Sequence, residues 1–149
     1  MKKYGMLLVA LVAVSQLAAA QVNENQSGDV KYFSDITSIQ TANLAAAEKG
    51  YCACLKSENE GVIESGLAHV AMLKLVFPSN EFKGLCRQVE KVAMNSRSLE
   101  MRYKAYLVST LLQNPGLFTN EANNHFESPD ELFGALASRM QQIVASNSR

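Results

Sequence analysis

The chain has no tryptophan, three prolines and eight glycines among its 149 residues. With so few turn formers and an abundance of Ala and Leu, composition leans towards helices. No stretch alternates at period two, which excludes a sheet. Basic and acidic residues are equal in number, fourteen of each. Nucleic-acid binders usually carry a marked basic excess, so that class is disfavoured. The three cysteines include no C-x-x-C, and no His flanks any of them closely, so the usual spacing of a zinc or thiol-redox site is missing. There is no nucleophile elbow with a Ser–His–Asp order, no Gly-rich phosphate loop and no H-E-x-x-H. Enzyme classes that announce themselves by motif are therefore absent, and a non-catalytic protein with no cofactor is expected.

Residues 1–20 have the pattern of a signal peptide. Lys2 and Lys3 form a basic start, Met6 to Val14 a short apolar run, and Ala18-Ala19-Ala20 the small residues of a cleavage site. The apolar run is about half the roughly twenty residues a bilayer span requires. Cleavage after Ala20 would leave no membrane span, and twelve basic against fourteen acidic residues. The expected location is the periplasm or the medium. Residues 21–37 are polar apart from Val30, Tyr32 and Phe33. They read as a flexible leader in which Tyr32 and Phe33 dock on the body.

Residues 38–149 read as one helical domain of four to five helices. The first is expected from Ser38 to Lys56, with Leu44, Ala47, Tyr51, Cys54 and Leu55 on one face. A second runs from Glu58 to Phe77, with Ser57 as cap and Glu60 closing a capping box; it is apolar almost all round, as a central helix is. A third runs from Asn80 to Met94 behind Ser79, burying Phe82, Leu85, Cys86, Val89, Val92 and Ala93. A fourth spans Leu99 to Gln113 with Ser98 as cap, its buried stripe read as Leu99, Tyr103, Tyr106, Leu107, Thr110 and Leu111. A loop follows in which Leu117 and Phe118 tuck back. The fifth opens at Ser128-Pro129-Asp130-Glu131, a capping box with proline at the first helical position. Its inner face is Leu132, Phe133, Leu136, Met140, Ile143 and Val144.

Two apolar helices end in proline, at Pro78 and Pro115. Aligning them pairs Ala68 with Ala105, Val70 with Leu107 and Leu75 with Leu112, a period that suits a HEAT-type helix pair. Leu55-Lys56-Ser57-Glu58-Asn59-Glu60-Gly61 with the helix to Pro78, and Arg102-Tyr103-Lys104-Ala105-Tyr106 to Pro115, resemble small exported bacterial proteins with HEAT-like helices, over residues 51–118. The resemblance implies an all-α fold of antiparallel pairs and carries over no catalytic residue. The expected architecture is a HEAT-like α-α superhelix, with an irregular helical bundle as the alternative.

Cys52 and Cys54 are two apart, so in a helix their side chains diverge by about 200° and cannot share a metal. Cys54 and Cys86 both fall on inward faces and form the candidate disulfide; closing that loop of about thirty residues would contribute roughly 3–4 kcal/mol. Cys52, beside Glu48, Lys49 and Lys56, is the candidate free thiol. His69 lies on the apolar second helix and reads as a packed histidine, whereas His125 lies in a polar loop. The distinctive feature is charge contrast. Lys83, Arg87, Lys91, Arg97, Arg102 and Lys104 face only Glu90 and Glu100 in the same span. Helical stacks use a row of helices as a binding surface, so this is the candidate partner-binding face, and it suits an acidic protein. The expectation is an exported, non-catalytic protein-interaction or scaffold module of the cell envelope. The alternative is a periplasmic metal- or redox-responsive thiol protein.

Overall fold

Residues 55–57 wind down one helix and residue 59 begins the next, which sets the frame of the molecule. The computed structural model describes residues 32, 33, 36, 39 and 41–148. The signal peptide and most of the leader lie outside these residues. A 3-10 turn, Thr41–Asn43, leads into α1 (Leu44–Cys54), followed by α2 (Glu60–Val76), α3 (Lys83–Asn95) and α4 (Leu99–Gln113). Two 3-10 turns, Pro115–Phe118 and Glu121–Asn123, then precede α5 (Pro129–Asn147). The described residues contain no strand. The fold is all-α.

The helix starts report which local signals prevailed. Leu55, Lys56 and Ser57 still donate their backbone N–H groups to Tyr51, Ala53 and Cys54, so Ser57 belongs to the unwinding end of α1. Asn59 is extended, and its side chain accepts from the N–H groups of Gly61 and Val62. The cap of α2 is therefore Asn59, two residues beyond the expected Ser57. α3 also starts late. The carbonyls of Pro78 and Asn80 are drawn in to the buried ammonium of Lys74, at 2.8 and 2.6 Å, which holds residues 78–80 in a turn. The chain then passes through Phe82 in the left-handed region, φ 43°, the one non-glycine with positive φ among the described residues. That conformation costs about 1–2 kcal/mol. Burying the ring, which sits beneath Lys74, offsets about 2–3 kcal/mol.

α1 begins at Leu44, behind the 3-10 turn Thr41–Asn43, rather than at Ser38; the starts of α4 and α5 are as expected. Ser98 accepts from Met101 N–H. Ser128 accepts from Glu131 N–H while the Glu131 carboxylate accepts from Glu127 N–H.

α2 and α4 form the middle of the packing. α3 and α4 share the most extensive contact, α2 lies against α4, α1 covers α2 and α3, and α5 lies across α2 and α4. α2 is buried from Gly66 to Leu75 except at His69, which is half-buried. Ala68, Val70 and Leu75 and their counterparts Ala105, Leu107 and Leu112 are all buried. Phe118 is fully buried, whereas Leu117 stays partly exposed. The docking expected of the leader is present: Phe33 and Ile36 are buried, and the Tyr32 hydroxyl donates to Ser65 Oγ at 2.8 Å.

α4 differs from expectation in the face it buries. Met101, Lys104, Ala105, Leu107, Val108, Leu111 and Leu112 are inside. Leu99, Tyr103 and Tyr106, read from the sequence as core, are 75 %, 50 % and 54 % exposed. On α5 the inner face is buried only over Leu132, Phe133 and Leu136, and Val144 is exposed.

Candidate functional site

α3 turns Leu85, Val89 and Val92 inward, which leaves Lys83, Arg87 and Lys91 outward and exposed, each a turn from the next. Arg97 stands exposed on the turn from α3 to α4. Lys83 is paired with Glu81 at 3.0 Å across open solvent. Arg102 is half-buried, with its Nε enclosed and without a partner.

Lys104 departs from the expected basic face altogether. It is buried on α4 and bonded to Glu64 of α2 and to Glu100 one turn back, at 2.5 Å to the latter. Asp130, in the first turn of α5, stands 4.0 Å away, and the ammonium lies 5.3 Å from the centre of the Phe133 ring. Burial alone would lower the Lys104 pKa; the hydrogen bonds it donates to Glu100 and Glu64 outweigh that and hold the group above its ordinary value. The physical reason is partnership: a lysine of this depth is tolerated because carboxylates from two helices meet it. It ties α2, α4 and α5 together and is unavailable to a partner.

The unexpected feature lies on α4. Leu99, Tyr103 and Tyr106 recur at spacings of four and three and share one exposed face of α4. Met94, at the end of α3, is 74 % exposed. These four side chains lie within thirteen residues of sequence, on two helices joined by a turn of three. Isolated exposed apolar residues are ordinary; several close together make a candidate contact surface.

All three cysteines are free, so the candidate bridge between Cys54 and Cys86 is not formed. Cys54 turns towards α2, where a Cβ on Gly66 would stand 3.0 Å from its own Cβ. Cys86, on α3, donates to the Glu81 carbonyl. Cys52, expected to be the exposed thiol, is half-buried against α3, its Sγ 3.6 Å from where a Gly84 Cβ would lie. Burial pushes the thiols of Cys52 and Cys86 above the usual cysteine value, and for Cys52 the Glu48 carboxylate adds to the shift. Both are thereby kept from the thiolate form that reacts. Among the described residues no group of three or more His, Cys, Asp or Glu side chains is placed to hold a metal. His69 donates through Nδ1 to the Ser65 carbonyl at 2.8 Å. Its ring packs among Tyr32, Phe33 and Tyr51, as a core histidine does. His125 is exposed.

Sequence reasoning missed a long-range cap. Phe82 provides α3 with no side-chain cap. Instead Glu48 of α1 reaches across, and its Oε1 accepts from Gly84 N–H at 2.8 Å and more weakly from Leu85 N–H at 3.4 Å. It also missed a cleft of about 900 Å³ between the α1–α2 turn and the end of α3. Leu55, Ile63 and Val92 line its floor; Lys56, Lys91 and Arg97 stand at its rim with Glu58 and Glu60. No pattern within one helix reports either feature, since each joins residues about thirty or more apart.

No family model, curated protein or solved structure matches this chain. None of the described helices is long and apolar enough to cross a membrane.

Proposed function

We propose that this chain is an exported, non-catalytic protein-interaction module whose partner docks on the outer faces of α3 and α4. The observation that carries the reading is the exposed row of Leu99, Tyr103 and Tyr106 on α4, together with the exposed Arg87, Lys91 and Arg97 on α3 and the turn after it. Tyrosine supplies a large contact area at low entropic cost, and interface hot spots are enriched in Tyr and Arg. The basic row adds long-range attraction for an acidic partner. Export rests on the signal-peptide pattern of residues 1–20. The burial of Ala68, Val70 and Leu75 together with Ala105, Leu107 and Leu112 supports reading α2 and α4 as equivalent helices of two HEAT-like pairs. The thiol-based alternative draws no support from Cys52 and Cys86, whose thiols are pushed away from the reactive form.

The test is cross-linking in intact cells that express the tagged protein, followed by recovery of partners. The double variant Tyr103→Ser/Tyr106→Ser should lose its specific partner while keeping the parent's melting temperature, because both rings are half outside the core. Charge reversal at Arg87 and Lys91 should weaken the same complex and flatten its salt dependence. If every recovered partner survives both variants, the docking face is wrong. A protein retained in the cytoplasm with residue 1 intact would refute export.

A further inference from the structure

The cleft at the α1–α2 turn has walls of opposite charge that do not neutralise each other. Glu58 and Glu60 stand at the start of α2; Lys91 and Arg97 stand on α3 and the turn after it. Among the described residues none of these four makes an ion pair or a side-chain hydrogen bond. Lysine and arginine side chains are long and mobile, and opposite charges within reach close into pairs, as Lys83 and Lys104 have done. Here the charges remain apart across an apolar floor. A cleft of about 900 Å³ falls within the roughly 300–1,000 Å³ of small-ligand sites, and its lining is mainly polar and charged, with Leu55, Ile63 and Val92 as the apolar part.

The ligand that satisfies both walls must carry a cation and an anion at its two ends and an apolar group between. We propose that the cleft binds a short zwitterionic peptide. Its amino terminus faces Glu58 and Glu60, its carboxylate faces Lys91 and Arg97, and an apolar side chain rests on Ile63 and Val92. Lys56 gives the lining one net positive charge, which favours a peptide with an additional carboxylate. The cleft shares Lys91 and Arg97 with the proposed docking face but does not include Tyr103 or Tyr106, so the tyrosine variants and the Glu60 variant tell the two proposals apart.

The probe is the tripeptide Ala-Leu-Ala with free termini, alongside its N-acetylated, C-amidated and doubly blocked forms. Each is titrated into the purified protein by calorimetry and by amide and methyl chemical shifts. Saturable binding of the free peptide is expected, with shifts concentrated at Ile63, Val92 and Asn95. Blocking either terminus should weaken binding about tenfold or more, as expected for loss of one charged contact. Arg97→Glu should cost about tenfold for the free peptide and little for the amidated one, whereas Glu60→Gln should discriminate at the amino end in the same way. Both positions are exposed, so the fold should be unchanged by circular dichroism. The inference is overturned if no saturable shift occurs up to about 10 mM, or if the doubly blocked peptide binds as well as the free one. It is also overturned if Arg97→Glu and Glu60→Gln leave affinity unchanged. A protein partner that depends on Tyr103 while the free peptide fails to bind would refute this site and leave the docking face intact.

Discussion

Glu48 and Gly84 should behave as one unit, and a double-mutant cycle measures it. Glu48 caps α3 from another helix, through two N–H···O contacts to a helix start with no cap of its own. Removing a cap costs about 0.5–2 kcal/mol, and removing a carboxylate from a helix N-terminus a further 0.3–1 kcal/mol, roughly. Glu48→Ala should therefore lose about 2 kcal/mol, close to 10 °C in melting temperature for a domain of about a hundred residues. Gly84→Ala attacks the same contact from the other side. Its Cβ would stand 2.8 Å from Glu48 Oε1, inside van der Waals contact. The carboxylate is the free end of a flexible chain, so it swings away and gives up both bonds rather than forcing the backbone. Against that loss of about 2 kcal/mol stands a gain of up to about 1 kcal/mol in helix propensity. Gly84→Ala should thus destabilise the parent by about 1 kcal/mol and stabilise Glu48→Ala by about the same, a coupling of about 2 kcal/mol. Urea denaturation under reducing conditions provides all four stabilities. If Gly84→Ala shifts stability equally in the two backgrounds, Glu48 is not the cap.

Lys104→Met keeps the stem over Phe133 but leaves Glu64 and Glu100 without their cation; it should cost about 2 kcal/mol, below the roughly 3–5 kcal/mol of a fully buried pair because both carboxylates are partly solvated. The folded-state pKa of Lys104 is raised, so its contribution is complete below the unfolded value of about 10.5 and is lost as pH rises through the folded one. The parent and Lys104→Met should therefore keep a constant gap in urea midpoint up to about pH 10 and converge as pH rises above the unfolded value of about 10.5, with the lowered pKa of Lys74 common to both and cancelling; a gap that stays constant at higher pH would refute the ion-pair reading. At neutral pH, Cys52 and Cys86 should react with a disulfide reagent more slowly than free cysteine, followed residue by residue by mass spectrometry. Glu48→Ala should quicken Cys52, because it removes a charge that raises the thiol's pKa.

Several features were legible because they depend on neighbours in sequence. The caps at Ser98 and Ser128 sit three residues from the N–H groups they bind, and the proline after Ser128 is preset for a first helical turn. The inward face of α3 follows from Leu85, Val89 and Val92 at helical spacing. α4 was misread because its sequence has two apolar stripes. Leu99, Tyr103 and Tyr106 form one; Met101, Ala105, Val108 and Leu112 form another with equally regular spacing. Periodicity shows that a face exists and cannot choose between two. Side-chain size favoured the tyrosines, whereas the packing surface offered by α2 and α3 took the smaller residues, which let the helices approach. Lys104 followed inward because Glu64 waited on α2. The Ser57 cap failed by two residues because α1 unwinds through Ser57 before the chain extends.

Sequence by itself determined that this protein is helical, which segments form its five described helices, and where two of them begin. Those outcomes arise from contacts within one turn, where spacing and residue type decide the energy. Tertiary structure alone decided that α4 presents its tyrosines to solvent, that Lys104 is a structural cation, and that Cys54 turns towards α2 while Cys86 bonds the Glu81 carbonyl. It alone brought Glu48 to α3 and opposed Glu58 and Glu60 to Lys91 and Arg97. Each of these depends on which helix faces which, and that is set by the sum of many weak packing contacts between residues far apart in the chain.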